Sequence, residues 1–433
     1  MIAPLTVGYG SVAVLFVAVI LGCPIGLAMI LVGFGGFAMI VGTAPALGVL
    51  QTATIETVTN YSFTLIPLFL LMGNLVSRSG VAAELFRGSL RLTRGWGGGL
   101  AAAGVTASAV FSTVSGSSLA TASTMTRVAY PEMQAHGYDP RLSAGSLAAG
   151  GTLGILIPPS IALMLYGLIT EQSVGTMFLA GIGPGVLAYL LYLVAILVMS
   201  RVWVPAGDDI APVEDPRPRR FETLRLFAPS LVLFGLVMGG LYGSLFTPTE
   251  AGGIGAALAL LYALYRGLSR AELLEAFAET AVTTGAIFLI LIGAEVFGFV
   301  LSVSQLSGAL VSFFTDSGFT PWQVLFGILV FYVILGCFME SLAMILLTVP
   351  IFYPIILANG FDPVWFGVIC VVTVELGLIT PPVGMNLFMV KSAARGLPLK
   401  TIMAGVLPFV VVDVVRLGIL LAVPAISLFL TGR

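Results

Sequence analysis

Long apolar runs alternate with short polar or glycine-rich breaks along almost the whole chain, from Val12 to Leu428. A run of about 18 or more apolar residues is long enough for a transmembrane helix. The pattern therefore predicts many spans joined by short connections. We place single spans near 5–22, 25–42, 62–77, 174–200, 222–241, 251–266, 283–303 and 401–430, helical hairpins near 97–130 and 321–357, and broken helices at 141–170 and 363–395.

Two of these runs contain a double proline, in GTLGILIPPS over 151–160 and in VELGLITPPVG over 374–384. Proline inside a helix removes a backbone donor and clashes with the preceding turn, which costs about 3 kcal/mol. Non-helical backbone at membrane depth is tolerated only where it is buried in protein or lines a cavity. The two breaks therefore predict either a ligand site or kinks packed against neighbouring side chains.

Composition supports a membrane protein, because 58% of the 433 residues are hydrophobic and only 9% are charged, against about 25% charged in globular domains. The predicted fold is an all-α polytopic membrane protein. The first stretch has no basic n-region and no cleavage site of small residues, so we interpret it as a retained span. Three scattered cysteines and one histidine argue against a disulfide framework and against a zinc site.

The basic residues predict an orientation. If the N-terminus is outside and each hairpin returns to the side from which it enters, 16 of the 18 basic residues lie on or near one face. The positive-inside rule makes that face cytoplasmic and the N-terminus periplasmic. Arg416, within the last span, and the terminal Arg433 are the two exceptions.

An internal repeat divides the chain almost in half. Shifted by 223 residues, the window 118–159 matches the second half at 13 of 42 positions without a gap, where about four matches are expected by chance. Each half has an odd number of crossings, so the halves should have inverted topology, as in many secondary transporters. We predict a first repeat over 1–202, a cytoplasmic linker over 203–220 and a second repeat over 221–433.

The hairpin turns and the breaks carry the candidate site. Unwound backbone exposes carbonyl oxygens for a cation, and the half-helices that follow favour an anion at their amino ends. For substrate contacts we select Ser115, Ser117, Ser160 and Glu340. For a bound cation we select Gly116, Ser118, Gly154, Ile157, Gly336, Ser341, Gly377, Thr380, Gly384 and Asn386. Thr380 and Asn386 replace Ile157 and Leu163 of the first repeat, so two ion sites would differ chemically.

Structural alternatives stay open for several of these residues. The serine-rich turn could be a packing seam of small residues, Ser160 could cap its half-helix, and Glu340 could extend to the outer interface. Thr247, Pro248 and Glu250 have the spacing of a capping box. Other charged groups within spans should pair or face water, and we expect Asp413 to pair with Arg416.

Other functional classes fit the sequence less well. A channel with inverted halves or a purely structural membrane subunit remains the alternative. An enzyme is not expected, because His136, Asp139 and Asp362 lie in end loops where they cannot form a protease site within the membrane. The chain has no GxxxxGK[ST] motif for ATP hydrolysis. No organic cofactor and no nucleic-acid partner are predicted.

Six motifs in chain order resemble a known family. They are SGSSLAT (115–121), YPEM followed by GYD, GTLGILIPPSI, FLAGIGPG (178–185), LFTPTEAG (245–252) and GLITPPVGMNLF (377–388). Over nearly its whole length, the sequence resembles the DctM-like large membrane subunit of tripartite ATP-independent periplasmic (TRAP) transporters.

The resemblance implies sodium-coupled uptake of a small organic anion by an elevator motion, in the bacterial inner membrane. It implies two partners, a periplasmic substrate-binding protein and a small four-helix membrane subunit. It also implies a functional role for the acidic residue of the TPTEA stretch, which adds Glu250 to the candidate substrate contacts. The substrate could be a dicarboxylate, a sugar acid, a sialic acid or another carboxylate.

Overall fold

The computed structural model describes residues 3–203 and 220–432, and in these residues every regular element is a helix. The first half forms α1 (Pro4–Ile20), α2 (Ile25–Val41), α3 (Thr43–Thr59), α4 (Leu65–Arg78), α5 (Val81–Leu92), α6 (Gly99–Ser115), α7 (Ser118–Ala135), α8 (Pro140–Thr152), α9 (Ile161–Ile169) and α10 (Val174–Trp203). The second half forms α11 (Arg220–Tyr242), α12 (Pro248–Tyr265), α13 (Arg270–Val303), α14 (Leu306–Asp316), α15 (Pro321–Gly336), α16 (Ser341–Ala358), α17 (Pro363–Ile379), α18 (Met385–Ala393), α19 (Leu399–Ala422) and α20 (Ala425–Leu428).

The helices have the exposed apolar surface of a membrane protein. Within the described ranges, six helices are long and apolar enough to cross a bilayer. Large side chains that face outward include Ile20 and Leu21, each 81% exposed. Extensive apolar surface of this kind is rare on soluble monomers. The prediction of an all-α polytopic membrane protein is confirmed.

Local sequence signals explain where the key helices begin. Asp139 and Asp362 each precede a proline, and each carboxylate accepts a hydrogen bond from a backbone N–H of the first turn that follows. Proline at the first helical position sacrifices no hydrogen bond and presets the backbone angle φ. The half-helices α8 and α17 therefore start at equivalent positions of the repeat, 140 and 363.

Helix bounds in the two halves correspond over most of the chain. With the shift of 223, α7 and α16 cover the same positions, and α6 and α15 differ by one or two residues at each end. With a shift of 224, the continuous α13 corresponds to α3 and α4 together, and α14 corresponds to α5. Corresponding positions thus form one continuous helix in the second half and two helices in the first.

The helices form two packed groups. Helices α1–α5 and α11–α14 contact one another and form what we call the frame. The hairpins, the broken helices and α10, α19 and α20 form what we call the hairpin bundle. The frame contacts the bundle mainly along α6, which lies against α4, α5 and α11, and along α16, which lies against α13 and α14.

Some predicted spans differ from the structure. Helix α3 was not predicted, because Gln51, Thr52 and Glu56 interrupt its apolar pattern, and the short α14 was also missed. Helix α13 begins 13 residues before the predicted 283, since its amino-terminal turns carry glutamates that lower the local hydropathy. The predicted last span, 401–430, ends as α19 at Ala422, shortly before Pro424. The linker predicted at 203–220 lies mostly outside the described residues.

Candidate functional site

The turn of the first hairpin is short and polar. Helix α6 ends at Ser115, Gly116 adopts a φ of +62°, and Ser117 is the N-cap of α7. A positive φ is easily adopted only by glycine, so the turn requires this residue. Ser117 accepts a long hydrogen bond of 3.4 Å from the N–H of Ala120, and Ser115 is hydrogen-bonded to Thr121 at 2.8 Å. Hydroxyls and carbonyls are thus concentrated at one end of the hairpin.

The first break packs directly against this turn. After α8 the chain forms a short 3-10 turn over Leu153–Ile155, then passes through the cis Pro158-Pro159 bond to α9. A Cβ atom on Gly154 would come within 2.5 Å of the carbonyl oxygen of Ser117, and one on Gly116 within 3.1 Å of the carbonyl oxygen of Pro159. The two segments therefore approach each other backbone to backbone, which only glycine permits at such distances.

Ser160 and Ile157 have structural contacts at this break. The Ser160 hydroxyl accepts a 3.2 Å hydrogen bond from the N–H of Leu163 and donates to the carbonyl of Ile155. It therefore caps α9, as one of the two sequence alternatives predicted. The Ile157 N–H donates to the carbonyl of Leu153 at 3.1 Å, and its side chain packs against Gly185 of α10.

The second hairpin has a different turn. Glu340 is the N-cap of α16, and its carboxylate accepts hydrogen bonds from the N–H groups of Leu342 at 2.9 Å and Ala343 at 3.2 Å. The Ser341 hydroxyl donates to the same carboxylate at 2.9 Å. Glu340 thus stabilises the amino end of α16 and is held at the turn rather than extended away from it.

The second break contacts its own hairpin in the same way as the first. A Cβ on Gly377 would come within 2.6 Å of the Gly336 Cα, so α15 and α17 cross at these two glycines. The N–H of Gly384, whose φ is +60°, donates to the carbonyl of Cys337 at 3.0 Å. Thr380 ends α17, and its hydroxyl donates to the carbonyl of Leu376 at 2.5 Å.

Asn386 joins the two halves of the site. It is fully buried at the start of α18, and its side-chain amide donates to the hydroxyl of Ser118 at 2.7 Å. A longer bond of 3.4 Å reaches the carbonyl of Ala148 in α8. The first turn, the first broken helix and the second break therefore meet around one side chain.

A cavity of about 670 Å³ adjoins the first turn, between the frame and the hairpin bundle. Ser115 and Ser117 of the turn line this cavity together with Asn74 of α4 and Ser123 and Thr124 of α7. Two guanidinium groups, those of Arg78 and Arg127, line it as well. Arg78 is held by Glu279 at 2.9 Å and Glu275 at 2.7 Å, and no such ion pair holds Arg127 in the described part of the chain.

Glu250 lies apart from this cavity. It is exposed in the first turn of α12 and forms a complete capping box with Thr247, whose N–H donates to its carboxylate at 2.8 Å. Proline occupies the first helical position, as the sequence spacing predicted. The structure thus brings together the serine turn, the first break and Asn386, whereas Glu250 and Glu340 do not line the cavity.

A buried charge network was only partly predicted. Arg416, fully buried, is paired with Asp413 at 3.3 Å, as expected, and also with Glu375 of α17 at 3.2 Å. Tyr192 of α10 donates to Asp413 at 2.8 Å and is hydrogen-bonded to Thr152 of α8 at 3.0 Å. The network therefore connects both broken helices. A tyrosine within an apolar span needs a partner, which is the signal that could have identified Tyr192.

Sequence reasoning also missed the cavity side chains Asn74 and Arg127. Asn74 interrupts an apolar span, and its amide donates to Thr280 of α13 at 2.9 Å. Arg127 is more than two helical turns from the hairpin turn, so its role could not be inferred from proximity in sequence.

Comparison with known proteins identifies the family. The family model described as "Tripartite ATP-independent periplasmic transporter, DctM component" matches residues 12–426. The chain is 38% identical over 378 residues to the C4-dicarboxylate TRAP transporter large permease protein DctM of Pseudomonas aeruginosa, covering 87% of each chain. It is 32% identical over 415 residues to the sialic acid TRAP transporter large permease protein SiaM of Vibrio cholerae, covering 94% of this chain and 95% of that one. These relatives are permease subunits and not enzymes.

A more distant likeness concerns the fold alone. The crystal structure of the Alcanivorax borkumensis YdaH transporter superposes with a TM-score of 0.61 at 17% sequence identity, covering 88% of this chain and 89% of that chain. The motifs, the paired hairpins and breaks, and the match over residues 12–426 agree with one another. The chain belongs to the DctM family of large permease subunits of TRAP transporters.

Proposed function

We propose that this permease subunit performs sodium-coupled uptake of a small organic anion delivered by a periplasmic binding protein. The observation that carries the proposal is the meeting of the first hairpin turn, the first break and Asn386, where Ser115 and Ser117 of the same turn line a polar cavity. Broken helices at a repeat interface are where secondary transporters bind substrate and coupling ion.

The cavity suits an anion with a carboxylate group. Ser115 and Ser117 present hydroxyls, Asn74 presents an amide, and Arg127 presents a guanidinium to the same space. Arginine binds a carboxylate through two parallel charge-assisted hydrogen bonds. Relatives carry the names of C4-dicarboxylate, sialic acid and ectoine transporters, and all three of these molecules contain a carboxylate.

The turns and breaks suit sodium as the coupling ion. A hard cation prefers oxygen ligands, and backbone carbonyls and hydroxyls are the oxygens that these segments concentrate. One site would use the backbone near Ser118 and Gly154, and the other would use the backbone near Gly377, Thr380 and Gly384. A sodium ion at each site would hold the hairpin turn and the neighbouring break in position. The anion site would then be complete.

The packing supports inverted repeats and an elevator motion. Helix α9 of the first break lies against α16 of the second hairpin, and α18 of the second break lies against α7 of the first. Reciprocal contacts of this kind are what an internal two-fold axis produces. The hairpin bundle would move as a unit against the frame, with α6 and α16 at the sliding contact.

We further propose that the N-terminus is periplasmic and that the protein resides in the bacterial inner membrane with a small four-helix subunit. The basic face would then be cytoplasmic, and the cavity would lead from the serine turn past Arg127 toward that face. Cysteine at Trp96 should react only with membrane-permeant reagents, and cysteine at Ser317 should react with impermeant reagents added outside. Equal labelling of both by the impermeant reagent contradicts this topology.

Uptake by the reconstituted complex tests the function. Proteoliposomes containing this chain, its membrane subunit and the loaded binding protein should accumulate the anion only with an inward sodium gradient. Uptake driven by a proton gradient in sodium-free potassium buffer would contradict sodium coupling. Downhill flux that ignores all ion gradients would indicate a channel, and no flux with all partners present would indicate a structural subunit.

A further inference from the structure

A second cavity system lies mainly between helices of the frame, reaches α6 of the hairpin bundle, and shares no lining residue with the proposed substrate cavity. Its polar part, about 550 Å³, is bounded by α5, α11 and the end of α12. Its apolar part, about 260 Å³, continues between α4, α5, α6, α11 and α12. The two parts share Ala228, Pro229 and Tyr262 as lining residues. A charged mouth thus opens into a narrow apolar groove.

The mouth has the charge of an anion site. Arg91, Arg225 and Arg266 line it together with only two carboxylates, Glu84 and Glu222. Arg266 is paired with Glu84 at 2.5 Å, and Arg91 is 3.5 Å from Glu222. The Arg91 atom nearest to Glu222 is Nη1, which is buried and makes no hydrogen bond within the described part of the chain. A separation of 3.5 Å is longer than an ordinary hydrogen bond, so this donor can still take a closer acceptor.

The groove has a second unsatisfied group. Ser230 is only 2% exposed and lines the apolar part, yet its hydroxyl is without a hydrogen-bond partner among the described residues. It lies five residues after Arg225 on α11, which corresponds to about 7.5 Å along the helix axis. The remaining walls include Val76, Val232, Leu233 and Leu258. A ligand that satisfies both donors should therefore carry one hydrogen-bond acceptor at the mouth and a second acceptor a short distance into the groove.

We propose that this site binds an anionic glycerophospholipid. Its phosphate would accept hydrogen bonds from Arg91 and Arg225, an ester carbonyl would accept from Ser230, and one acyl chain would occupy the groove beside Leu233. Basic pockets between transmembrane helices bind such headgroups. The apolar part, about 260 Å³, is too small to hold a protein helix, which is about 10–12 Å across. The acyl chain would reach Val114 of α6 and would therefore contact both the frame and the hairpin bundle.

Lipid titration of the full-length chain tests the site. Native mass spectrometry in mild detergent would measure binding of the first dioleoyl phosphatidylglycerol and, separately, dioleoyl phosphatidylcholine. We expect phosphatidylglycerol to bind about tenfold more tightly, and the variant R91Q/R225Q to lose most of that preference. The matched control R94Q/R270Q removes two exposed arginines away from this cavity and should bind as the wild type does. Equal binding of both lipids by the wild type would overturn the proposal.

Two further arms separate the lipid from other occupants and from misfolding. Leu258→Trp fills the groove and keeps every arginine, so it should weaken phosphatidylglycerol binding with an unchanged melting temperature in phosphatidylcholine. If R91Q/R225Q fails to fold, Arg225→Gln alone replaces it, since Arg225 is exposed. Displacement of the lipid by millimolar inorganic phosphate would show a simple anion site instead. Cross-linking of a second protein chain to a photoreactive residue at Val232 would likewise overturn the lipid assignment.

Discussion

The side-chain amide of Asn386 donates a 2.7 Å hydrogen bond to the hydroxyl of Ser118, across 268 positions of the sequence. Both groups are buried. Ser118 begins the second arm of the first hairpin, and Asn386 is the second residue of α18, the helix after the second break. This bond therefore couples elements from the two halves, so the geometry of one candidate ion site depends on the other.

Removing this bond should reduce both stability and transport. Asn386→Ala leaves the Ser118 hydroxyl without its partner, and a buried unsatisfied polar group costs about 1–3 kcal/mol. The double variant S118A/N386A should cost less than the sum of the single variants, with a coupling of about 1 kcal/mol. Melting curves of the four purified proteins measure this coupling. Strict additivity would show that the two side chains act independently.

The serine turn should bind substrate. Ser117→Ala removes a hydroxyl that lines the cavity and whose capping bond is long, 3.4 Å. Loss of a hydrogen bond to a charged ligand costs about 1.5–3 kcal/mol, which raises the apparent KM for uptake about tenfold to a hundredfold. Ser112→Ala is the matched control, because its buried hydroxyl donates only to the backbone of its own helix. Equal uptake by both variants at low substrate concentration would show that the serine turn serves helix packing and not substrate binding.

Glu340 should act at the second turn mainly through its charge. Glu340→Gln preserves one acceptor for the N–H groups of Leu342 and Ala343 but removes the charge that favours the helix amino end. We expect normal insertion and impaired uptake. The matched control is Glu250→Gln, which also replaces a helix-capping carboxylate by an amide but at an exposed site. This control should leave uptake nearly unchanged. Impaired uptake by Glu250→Gln alone would instead support the role that the family resemblance gives to Glu250.

Sequence signals that act over a few residues were sufficient to predict the hairpins and the breaks. Gly116 marks the turn of the first hairpin, and the double prolines lie in the breaks between α8 and α9 and between α17 and α18. The spacing of Thr247 and Glu250 likewise predicted the capping box that the structure contains. These features are predictable because their physical causes, a missing donor, a positive φ or a nearby cap, are local.

Contacts between distant segments could not be predicted in this way. Ser118 and Asn386 are both small polar residues, and nothing in either local pattern specifies the other as partner. Arg416 has a predictable neighbour in Asp413, three residues away, but its second partner Glu375 depends on how α17 packs against α19. The cavity residue Arg127 was missed for the same reason. Tertiary packing, which periodicity does not encode, assembled these groups.

Thr380 should contribute to sodium affinity. Thr380→Val keeps the shape and removes an oxygen at the second break, so half-saturation by sodium should require about tenfold more ion. Thr373→Val is the matched control on the same helix. Both hydroxyls donate to a carbonyl four residues earlier, at 2.5 Å for Thr380 and 2.7 Å for Thr373. Sodium-dependent uptake measures both. An equal change in the two variants would trace the effect to the helix bond and not to an ion ligand.

Breaking the buried network around Arg416 should destabilise the protein more than the loss of any single hydrogen bond. Arg416→Met leaves Glu375 and Asp413 as buried carboxylates without their cation, and breaking a buried ion pair in this way costs about 3–5 kcal/mol. Replacing the whole group by apolar residues, as in R416M/E375L/D413L, removes the uncompensated charges and should recover most of that loss. Heating followed by size-exclusion chromatography measures the melting temperature of each protein.

The triple variant also separates stability from function. If the network serves only to hold α17 and α19 together, the triple variant should both fold and transport. Because Tyr192 and Thr152 extend the network from Asp413 to α8, we expect instead a stable protein with slow uptake, since this network no longer links α8 to α17 and only contacts such as that of Asn386 with Ala148 remain. Tyr192→Phe should show a milder form of the same defect, as it removes one hydroxyl and keeps the ring packed on Phe409. An Arg416→Met protein as stable as the wild type would mean that water already satisfies these charges, and the network would then have no role in joining the two breaks.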